Sequence, residues 1–315
     1  MTDVEATAVG EPAARASRRE APAGVRARPL LRADRVARLV LLPTILFCLV
    51  GYYGSILWTT AMSFTSSGIL PKADFVGLDQ YARLWGEPRW HTAFGNMFLF
   101  GGLYVAGCMA LGTLLAIALD QGVRGRSVLQ TVFLYPIALS FIVTGLAWQW
   151  FLNPTTGLQD FVRGLGFEGF VFDWLSRPDR AVFTLVIAGV WHSAGLVMAI
   201  VFAGLGSIDG EIWRAGRVDG IPRGRMYLRV ILPMLSPVLL VCVVLLAMDV
   251  VKSFDLVVAM TGGGPGYSTD LPAKFVVDHL FNRSNIGLAS AAATMMLLSI
   301  LAILVLSAWA GRRRA

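Results

Sequence analysis

Long apolar segments alternate with short polar ones along most of this sequence. Each apolar segment has about twenty or more mainly apolar residues, the length that an α-helix needs to cross a lipid bilayer. Prolines occur in three of them, which membrane helices tolerate when neighbouring groups satisfy the freed backbone carbonyl. The pattern predicts an all-α, polytopic membrane protein with six transmembrane helices, near residues 38–63, 92–119, 128–151, 181–206, 234–260 and 287–310.

Composition supports this class and separates the tails from the membrane domain. Of the 315 residues, 56% are hydrophobic and 15% are charged, whereas a soluble domain has about 25% charged residues. Residues 1–36 are rich in Ala, Arg, Glu and Pro without apolar periodicity, which predicts a disordered tail. The first apolar segment begins too far from Met1 for a cleavable signal peptide, so we expect it to be retained. The membrane domain is expected at 37–311 and a second short tail at 312–315.

Lysine and arginine are divided unevenly between the two alternating sets of polar segments. One set holds eighteen of them, in 1–38, 120–127, 207–233 and 311–315. The other set holds eight, in 64–91, 152–180 and 261–286. The positive-inside rule therefore predicts a multi-pass protein of the cytoplasmic (inner) membrane with both termini in the cytoplasm. Because the net charge of +7 mostly reflects this topology, we expect membrane lipid and no nucleic acid among the partners.

The polar segment 207–233 has five arginines within sixteen residues: Arg214, Arg217, Arg223, Arg225 and Arg229. Its pattern predicts two short helices joined by a turn. Asp209 is suited to cap the first helix, because its carboxylate can accept from the free N–H groups there. Gly220 permits a tight turn, and Pro222 favours the start of the second helix. A segment this short is expected to contact another protein.

Three charged residues lie inside the fifth predicted span: Asp249, Lys252 and Asp255. Charges within a membrane helix are costly and usually mark a pathway or an internal ion pair. Their i, i+3, i+6 spacing places them on one broad helical face. Two interpretations remain open. The three form a buried network that locks the helix against a neighbour, or some of them hydrogen-bond a polar solute in a central cavity.

Aromatic residues supply further candidates for a solute pathway. Trp148 and Trp150 close the third span, and Trp191 and His192 lie near the middle of the fourth. Aromatic faces beside hydrogen-bonding groups suit sugars, which present apolar C–H faces. The alternatives are an interfacial anchor for the tryptophans of the third span and an interhelical hydrogen bond for His192. We take Trp148, Trp191 and His192 as pathway candidates together with the three charged residues.

The sequence has no recognisable catalytic constellation. It contains three histidines and three cysteines, without HExxH, GxSxG or clustered Cys and His. No lysine follows a glycine, so a GxxxxGK[ST] phosphate-binding loop is absent. We expect no catalytic residues, cofactor or metal ion. If ATP drives transport through this chain, a separate subunit must hydrolyse it.

Two stretches resemble the permeases of binding-protein-dependent ABC importers. In the family's cytoplasmic loop, E-A-A is followed by three residues, Gly, nine variable residues and I-x-L-P. Here the loop reads Arg214-Ala215-Gly216, then Gly220, and ends Val230-Ile231-Leu232-Pro233. Arg214 stands where glutamate is usual and Gly216 where the second alanine is usual. The run Phe254–Pro265 resembles carbohydrate permeases, and its continuation to Pro272 is most similar to those of the glucose/mannose type.

The resemblance implies a type I importer permease fold in which the 207–233 loop docks on an ATPase subunit. It assigns the coupling role to Arg214, Ala215, Gly216, Asp219, Gly220 and Pro233. It also implies a sugar substrate, a second permease in a heterodimer, an ATPase dimer and an extracytoplasmic solute-binding protein. The alternative is an ion- or proton-coupled secondary transporter that uses Asp249, Lys252 and Asp255, for which an inverted repeat would be evidence. We find no convincing repeat.

Overall fold

The computed structural model describes residues 30–72 and 74–312. The predicted tail therefore lies largely outside the described residues, as do the last three residues of the chain. Residues 30–36, which the sequence assigned to the tail, belong to the first helix. Their leucines, arginines and alanine are good helix formers, which is consistent with helix there. The described residues divide into two units, with the boundary between Ser55 and Ile56.

The described residues are largely helical. A single isolated bridge between Thr65 and Phe75 is the β-pairing among them. The α-helices are α1 (Leu30–Met62), α2 (Asp79–Gly86), α3 (Pro88–Asp120), α4 (Arg126–Leu134), α5 (Phe141–Phe151), α6 (Leu158–Gly164), α7 (Ala181–Gly206), α8 (Gly210–Val218), α9 (Arg223–Met226), α10 (Leu232–Met234), α11 (Ser236–Val251), α12 (Asp255–Met260), α13 (Pro272–Val277) and α14 (Ile286–Arg312). Two 3₁₀ segments (Tyr135–Ala138 and Trp174–Ser176) and two π segments (Tyr227–Ile231 and Asp278–Asn282) complete the pattern.

Four helical stretches in this part of the chain are long and apolar enough to cross a membrane unbroken: Leu41–Met62, Pro88–Asp120, Ala181–Gly206 and Ile286–Trp309. Two further candidates are bent pairs. Arg126–Ala138 meets Phe141–Phe151 at 100°, and Arg223–Met234 meets Ser236–Val251 at 72°. The residues that the structure describes therefore contain four apolar spans, or up to six if each bent pair is one span.

The bends occur where the backbone hydrogen-bond pattern is interrupted. Pro136 lies in the 3₁₀ segment before α5, and Ser140 starts α5 anew by accepting from the Val143 N–H at 3.3 Å. Pro237, at the start of α11, has no N–H with which to continue the preceding helix. The sequence predicted one helix over 234–260. The structure instead ends α11 at Val251 and begins α12 at Asp255.

The core of the second unit is built around α3 and α7, which make the most extensive helix–helix contact among the described elements. Gly112 on α3 lies against α7 so closely that a Cβ there would be 2.6 Å from Val197 Cβ and 2.7 Å from the Ala194 carbonyl oxygen. Small residues at such contacts let membrane helices approach closely, where van der Waals packing stabilises them. Tyr104 on α3 also donates a hydrogen bond to Ser193 Oγ on α7, at 2.8 Å.

Gly112→Ala is expected to destabilise the protein by about 1–3 kcal/mol, because the added methyl overpacks the contact between α3 and α7. The matched control is Gly102→Ala on the same helix, where nothing lies within 4 Å of an added Cβ. The control should leave stability unchanged or slightly raised. Thermal unfolding of the purified protein in detergent measures both. Equal midpoints for the two variants would contradict the packing argument.

Candidate functional sites

The segment that follows α7 forms the predicted helix–turn–helix. Asp209 Oδ1 accepts a hydrogen bond from the Glu211 N–H at 2.9 Å, which confirms the predicted cap of α8. After α8, Gly220 adopts φ = +68°, a left-handed conformation that glycine adopts without strain. The Ile221 N–H closes the turn by donating to the Gly216 carbonyl at 2.9 Å. Pro222 immediately precedes α9.

Helix α8 has one face packed against the protein and one face exposed. On the packed face, a Cβ at Gly216 would lie 2.8 Å from Met226 Sδ, and the Trp213 and Tyr227 ring centroids are 5.2 Å apart. The exposed face consists of residues at i, i+3, i+4 and i+7, namely Glu211, Arg214, Ala215 and Val218. These positions form one stripe along a helix.

The predicted coupling residues fall into two groups. Arg214, Ala215, Asp219 and Gly220 are exposed, whereas Gly216 is buried against Met226. Pro233 is exposed on α10, beyond the turn. Arg214 is paired within its own helix, with Nη2 3.6 Å from Glu211 Oε1. Since both side chains of this pair are mostly exposed, it adds little stability.

One polar contact links this segment to α3. The Tyr227 hydroxyl donates to Asp120 Oδ2 at 2.6 Å, and Asp120 is the last residue of α3. Together with the packing of Met226 on Gly216, this bond connects α8 through residues 226–227 to the end of the longest described core helix. Neither Tyr227 nor Asp120 was predicted from the sequence. The available sign in the sequence was Asp120 itself, a carboxylate at the end of an apolar span.

A cavity of about 270 Å³ lies between α3, α5 and the break that separates α11 from α12. Its lining combines four aromatic residues with polar and charged groups: Phe100, Tyr104, Phe141, Phe254, Asp249, Lys252, Ser253 and Asp255, together with Leu256. Phe100 and Tyr104 stack with ring centroids 5.4 Å apart. The cavity therefore offers apolar ring faces and hydrogen-bonding groups together.

The three charged residues of the fifth predicted span all line this cavity, although no single helix carries them. Lys252 Nζ lies 2.9 Å from Asp249 Oδ1, and the side chains are 69% and 28% exposed. This pair is therefore not a buried lock. Asp255 begins α12 and is exposed. Among the described residues, no ion pair involves Asp255.

The pathway candidates of α5 and α7, Trp148, Trp191 and His192, do not line this cavity. The rings of Trp148 and Trp191 meet edge to face, with centroids 5.9 Å apart. His192 is buried and shares a 3.0 Å hydrogen bond with Thr144 Oγ1 on α5. Its ring centroid is 4.0 Å from that of Phe141, which does line the cavity. His192 thus makes an interhelical hydrogen bond and touches the cavity wall from behind.

A buried network of four charges lies near the start of α3. Arg89 binds both Asp270 and Asp278, with Nε 2.5 Å from Asp270 Oδ2. Lys274 Nζ lies 2.6 Å from Asp278 Oδ2 and 3.4 Å from Asp270 Oδ1. Burial raises the pKa of Asp278, but Lys274 and Arg89 outweigh this effect and hold the pKa below the ordinary 3.8. Asp270, Lys274 and Asp278 recur every four residues, a spacing that was the only sign of this network in the sequence.

The network holds a glycine-rich turn in place. Gly262, Gly263 and Gly266 all have positive φ, the left-handed conformation that glycine adopts without strain. The Thr269 N–H donates to the Gly263 carbonyl at 3.1 Å. Asn96 on α3 donates from Nδ2 to the Ser268 and Asp270 carbonyls, at 2.7 and 3.0 Å. Within the described chain, no three His, Cys, Asp or Glu side chains are placed to hold a metal ion.

Comparison with known proteins gives consistent matches. The family model described as "Binding-protein-dependent transport system inner membrane component" matches residues 108–315. A xylose/arabinose import permease protein of Haloferax volcanii is 33% identical over 259 residues, covering 81% of each chain. A trehalose/maltose transport system permease protein of Thermococcus litoralis is 30% identical over 247 residues, covering 78% of this chain and 82% of the relative.

A solved structure shares the fold. It is the crystal structure of a bacterial ABC transporter involved in the import of the acidic polysaccharide alginate. One of its chains superposes with a TM-score of 0.79 at 22% identity, over 90% of this chain and 97% of that chain. The superposition confirms the predicted all-α permease fold.

Arg89→Gln is expected to destabilise the protein by about 3–5 kcal/mol, because it leaves the buried Asp270 and the partly buried Asp278 with one lysine between them. The control is Arg83→Gln, since the Arg83–Asp79 pair is 4.0 Å apart with side chains 66% and 64% exposed. That change should cost less than about 1 kcal/mol. Thermal unfolding in detergent compares the two. If Arg89→Gln lowers stability no more than Arg83→Gln does, the network contributes little to stability.

Proposed function

Because the chain belongs to the family of binding-protein-dependent transport system inner membrane components, we propose that it is the permease subunit of an ATP-driven sugar importer. The observation that carries this proposal is the exposed face of α8, fixed to α3 by Tyr227 and Asp120. The names of the xylose/arabinose and trehalose/maltose relatives support a sugar as the solute. Family membership also favours this function over the alternative, an ion-coupled secondary transporter.

The exposed stripe of α8 is proposed to dock on a separate ATPase subunit. Movement of that subunit displaces α8 through Arg214, Ala215 and Val218. The displacement is transmitted to the end of α3, because Gly216 packs on Met226 and Tyr227 hydrogen-bonds Asp120. Glycine at 216 fits this role, since a larger side chain would separate the two helices. Gly220 keeps the turn short.

The 270 Å³ cavity is proposed to lie on the solute pathway. The ring faces of Phe100, Tyr104 and Phe254 suit the C–H faces of a sugar. Asp249, Lys252 and Asp255 supply acceptors and donors for its hydroxyl groups. Since Tyr104 is on α3, displacement of α3 changes the shape of this wall. His192 is proposed to act by supporting Phe141, and Trp148 and Trp191 pack against each other on α5 and α7.

The proposed assembly contains a second permease subunit, an ATPase dimer and an extracytoplasmic solute-binding protein. The excess of arginine and lysine in 207–233 and its companion segments supports placing α8 in the cytoplasm. Since Arg89 and Asp120 are at opposite ends of α3, the glycine-rich turn is then placed on the outer side. The chain binds and moves the solute, and the ATPase subunits hydrolyse ATP.

Gly220→Val is expected to reduce sugar uptake at least tenfold while the subunit still inserts. A valine at φ = +68° is strained by about 1–3 kcal/mol, so the turn that presents α8 is distorted. Gly224→Val is the matched control, because neither glycine has any atom within 4 Å of an added Cβ and φ at Gly224 is not positive.

Uptake of labelled sugar is measured in cells that express the whole transporter, with subunit amounts checked by immunoblotting of membranes. Co-purification of the ATPase subunit is measured in parallel. Uptake by Gly220→Val equal to that of Gly224→Val, at matched expression, would contradict the docking role of this turn.

Asp255→Asn is expected to weaken the apparent affinity for the transported sugar about tenfold, because it removes one charged hydrogen-bond acceptor from the cavity. The assembled transporter should still co-purify with its ATPase subunit. Asp179→Asn is the control, since the Asp179 side chain is 70% exposed and does not line the cavity. The measurement is the concentration dependence of uptake. Failure of Asp255→Asn to assemble would indicate a structural role instead.

A further inference from the structure

A second and larger cavity, of about 400 Å³, lies beside α8. Its volume is within the range of small-molecule sites, about 300–1,000 Å³. It is half open to solvent and is bordered by α8, the turn that follows α3 and residues 221–227. The lining residues used in the argument are Asp120, Trp213, Arg217, Arg223, Met226 and Tyr227. Its wall also includes Gly216, so it contains the contacts that are proposed to connect α8 to α3, but neither docking nor solute passage as proposed needs a ligand in it.

The cavity has an excess of positive charge. Arg217 and Arg223 contribute guanidinium groups from the two sides of the Gly220 turn. Within the described part of the chain, neither group makes an ion pair or a side-chain hydrogen bond. Asp120 is the acidic residue of the lining, and one of its oxygens already accepts from Tyr227. A ligand would therefore meet two free guanidinium groups and one engaged carboxylate.

The remaining wall is apolar and aromatic. The rings of Trp213 and Tyr227 meet at 66°, and the side chains of Met226 and Ile221 also line the cavity. Such a wall favours a ligand that has a carbon skeleton over an inorganic ion, because the skeleton can pack against it. The combination of paired guanidinium groups with an apolar wall is typical of sites for phosphorylated or carboxylated small molecules.

We propose that this cavity is a binding site for a phosphorylated small molecule of the sugar-phosphate class. A phosphate monoester carries nearly two negative charges and three acceptor oxygens, which match two guanidinium forks. Because Arg217 is on α8 and Arg223 is on α9, a bound phosphate bridges the two sides of the Gly220 turn. The bridge restrains the movement of α8, so the ligand inhibits transport. This part rests on the proposed function, which places the cavity in the cytoplasm.

Binding is tested with the full chain in lipid nanodiscs by isothermal titration calorimetry, using glucose 6-phosphate as the probe. We expect saturable binding of glucose 6-phosphate, none of glucose, and weaker binding of inorganic phosphate at matched ionic strength. Arg217→Gln and Arg223→Gln should each weaken binding at least tenfold. Arg225→Gln is the matched control, because Arg225 is exposed in the same segment and does not line the cavity. It should bind within twofold of the wild type.

The inhibitory role is tested in the assembled transporter. Glucose 6-phosphate enclosed on the α8 side of proteoliposomes should lower uptake, and Arg217→Gln should remove that inhibition relative to its own uninhibited rate. Absence of saturable binding, or equal weakening by Arg225→Gln, would overturn the proposal. So would binding to the isolated chain that the assembled transporter lacks, since a partner's carboxylate would then occupy the cavity. Calorimetry measures ligand binding without transport. A failure of the proposed importer function is therefore distinguishable from a failure of ligand binding.

Discussion

The close approach of α3 and α7 is the constraint on which the other features depend. In a membrane, lipid tails are as apolar as leucine, so burial alone gives helices little reason to associate. Van der Waals contact at Gly112 and the hydrogen bond between Tyr104 and Ser193 hold the two helices together. The same hydrogen bond ties the position of Tyr104 in the cavity wall to α7. Asp120 and Arg89, at the two ends of α3, are placed by the same contact.

The charged side chains near the two ends of α3 differ in burial and in pairing. At the Arg89 end, two cations and two carboxylates are buried together and neutralise one another. Such a network is costly to break and fixes one arrangement of the glycine-rich turn. At the Asp120 end, the guanidinium groups of Arg217 and Arg223 are exposed beside an open cavity. The charges at the Arg89 end are thus paired within this chain. At the Asp120 end, the two guanidinium groups have no ion-pair partner among the described residues and are proposed to bind an anionic ligand.

The sequence predicted features that depend on local chemistry. The apolar segments, the Asp209 cap and the Gly220 turn each follow from residues within a few positions of one another. Three-dimensional contacts were harder to predict. The spacing of Asp249, Lys252 and Asp255 assumed one continuous helix, and the break after Val251 contains no proline or glycine to signal it. The bonds from Tyr227 to Asp120 and from Arg89 to Asp270 join residues 107 and 181 positions apart, which local periodicity cannot detect.

The length of α3 has a mechanical consequence. Arg89 and Asp120 are separated by about 46 Å along the helix, at about 1.5 Å per residue. A rod of that length amplifies rotation, so a tilt of about 5° about one end displaces the other by about 4 Å. In the coupling movement proposed above, the Arg89 end would be the fulcrum, because four charges anchor it, and the Asp120 end would travel furthest. Tyr104, about halfway along, moves by roughly half that distance, which is enough to reshape a cavity as narrow as the one it lines.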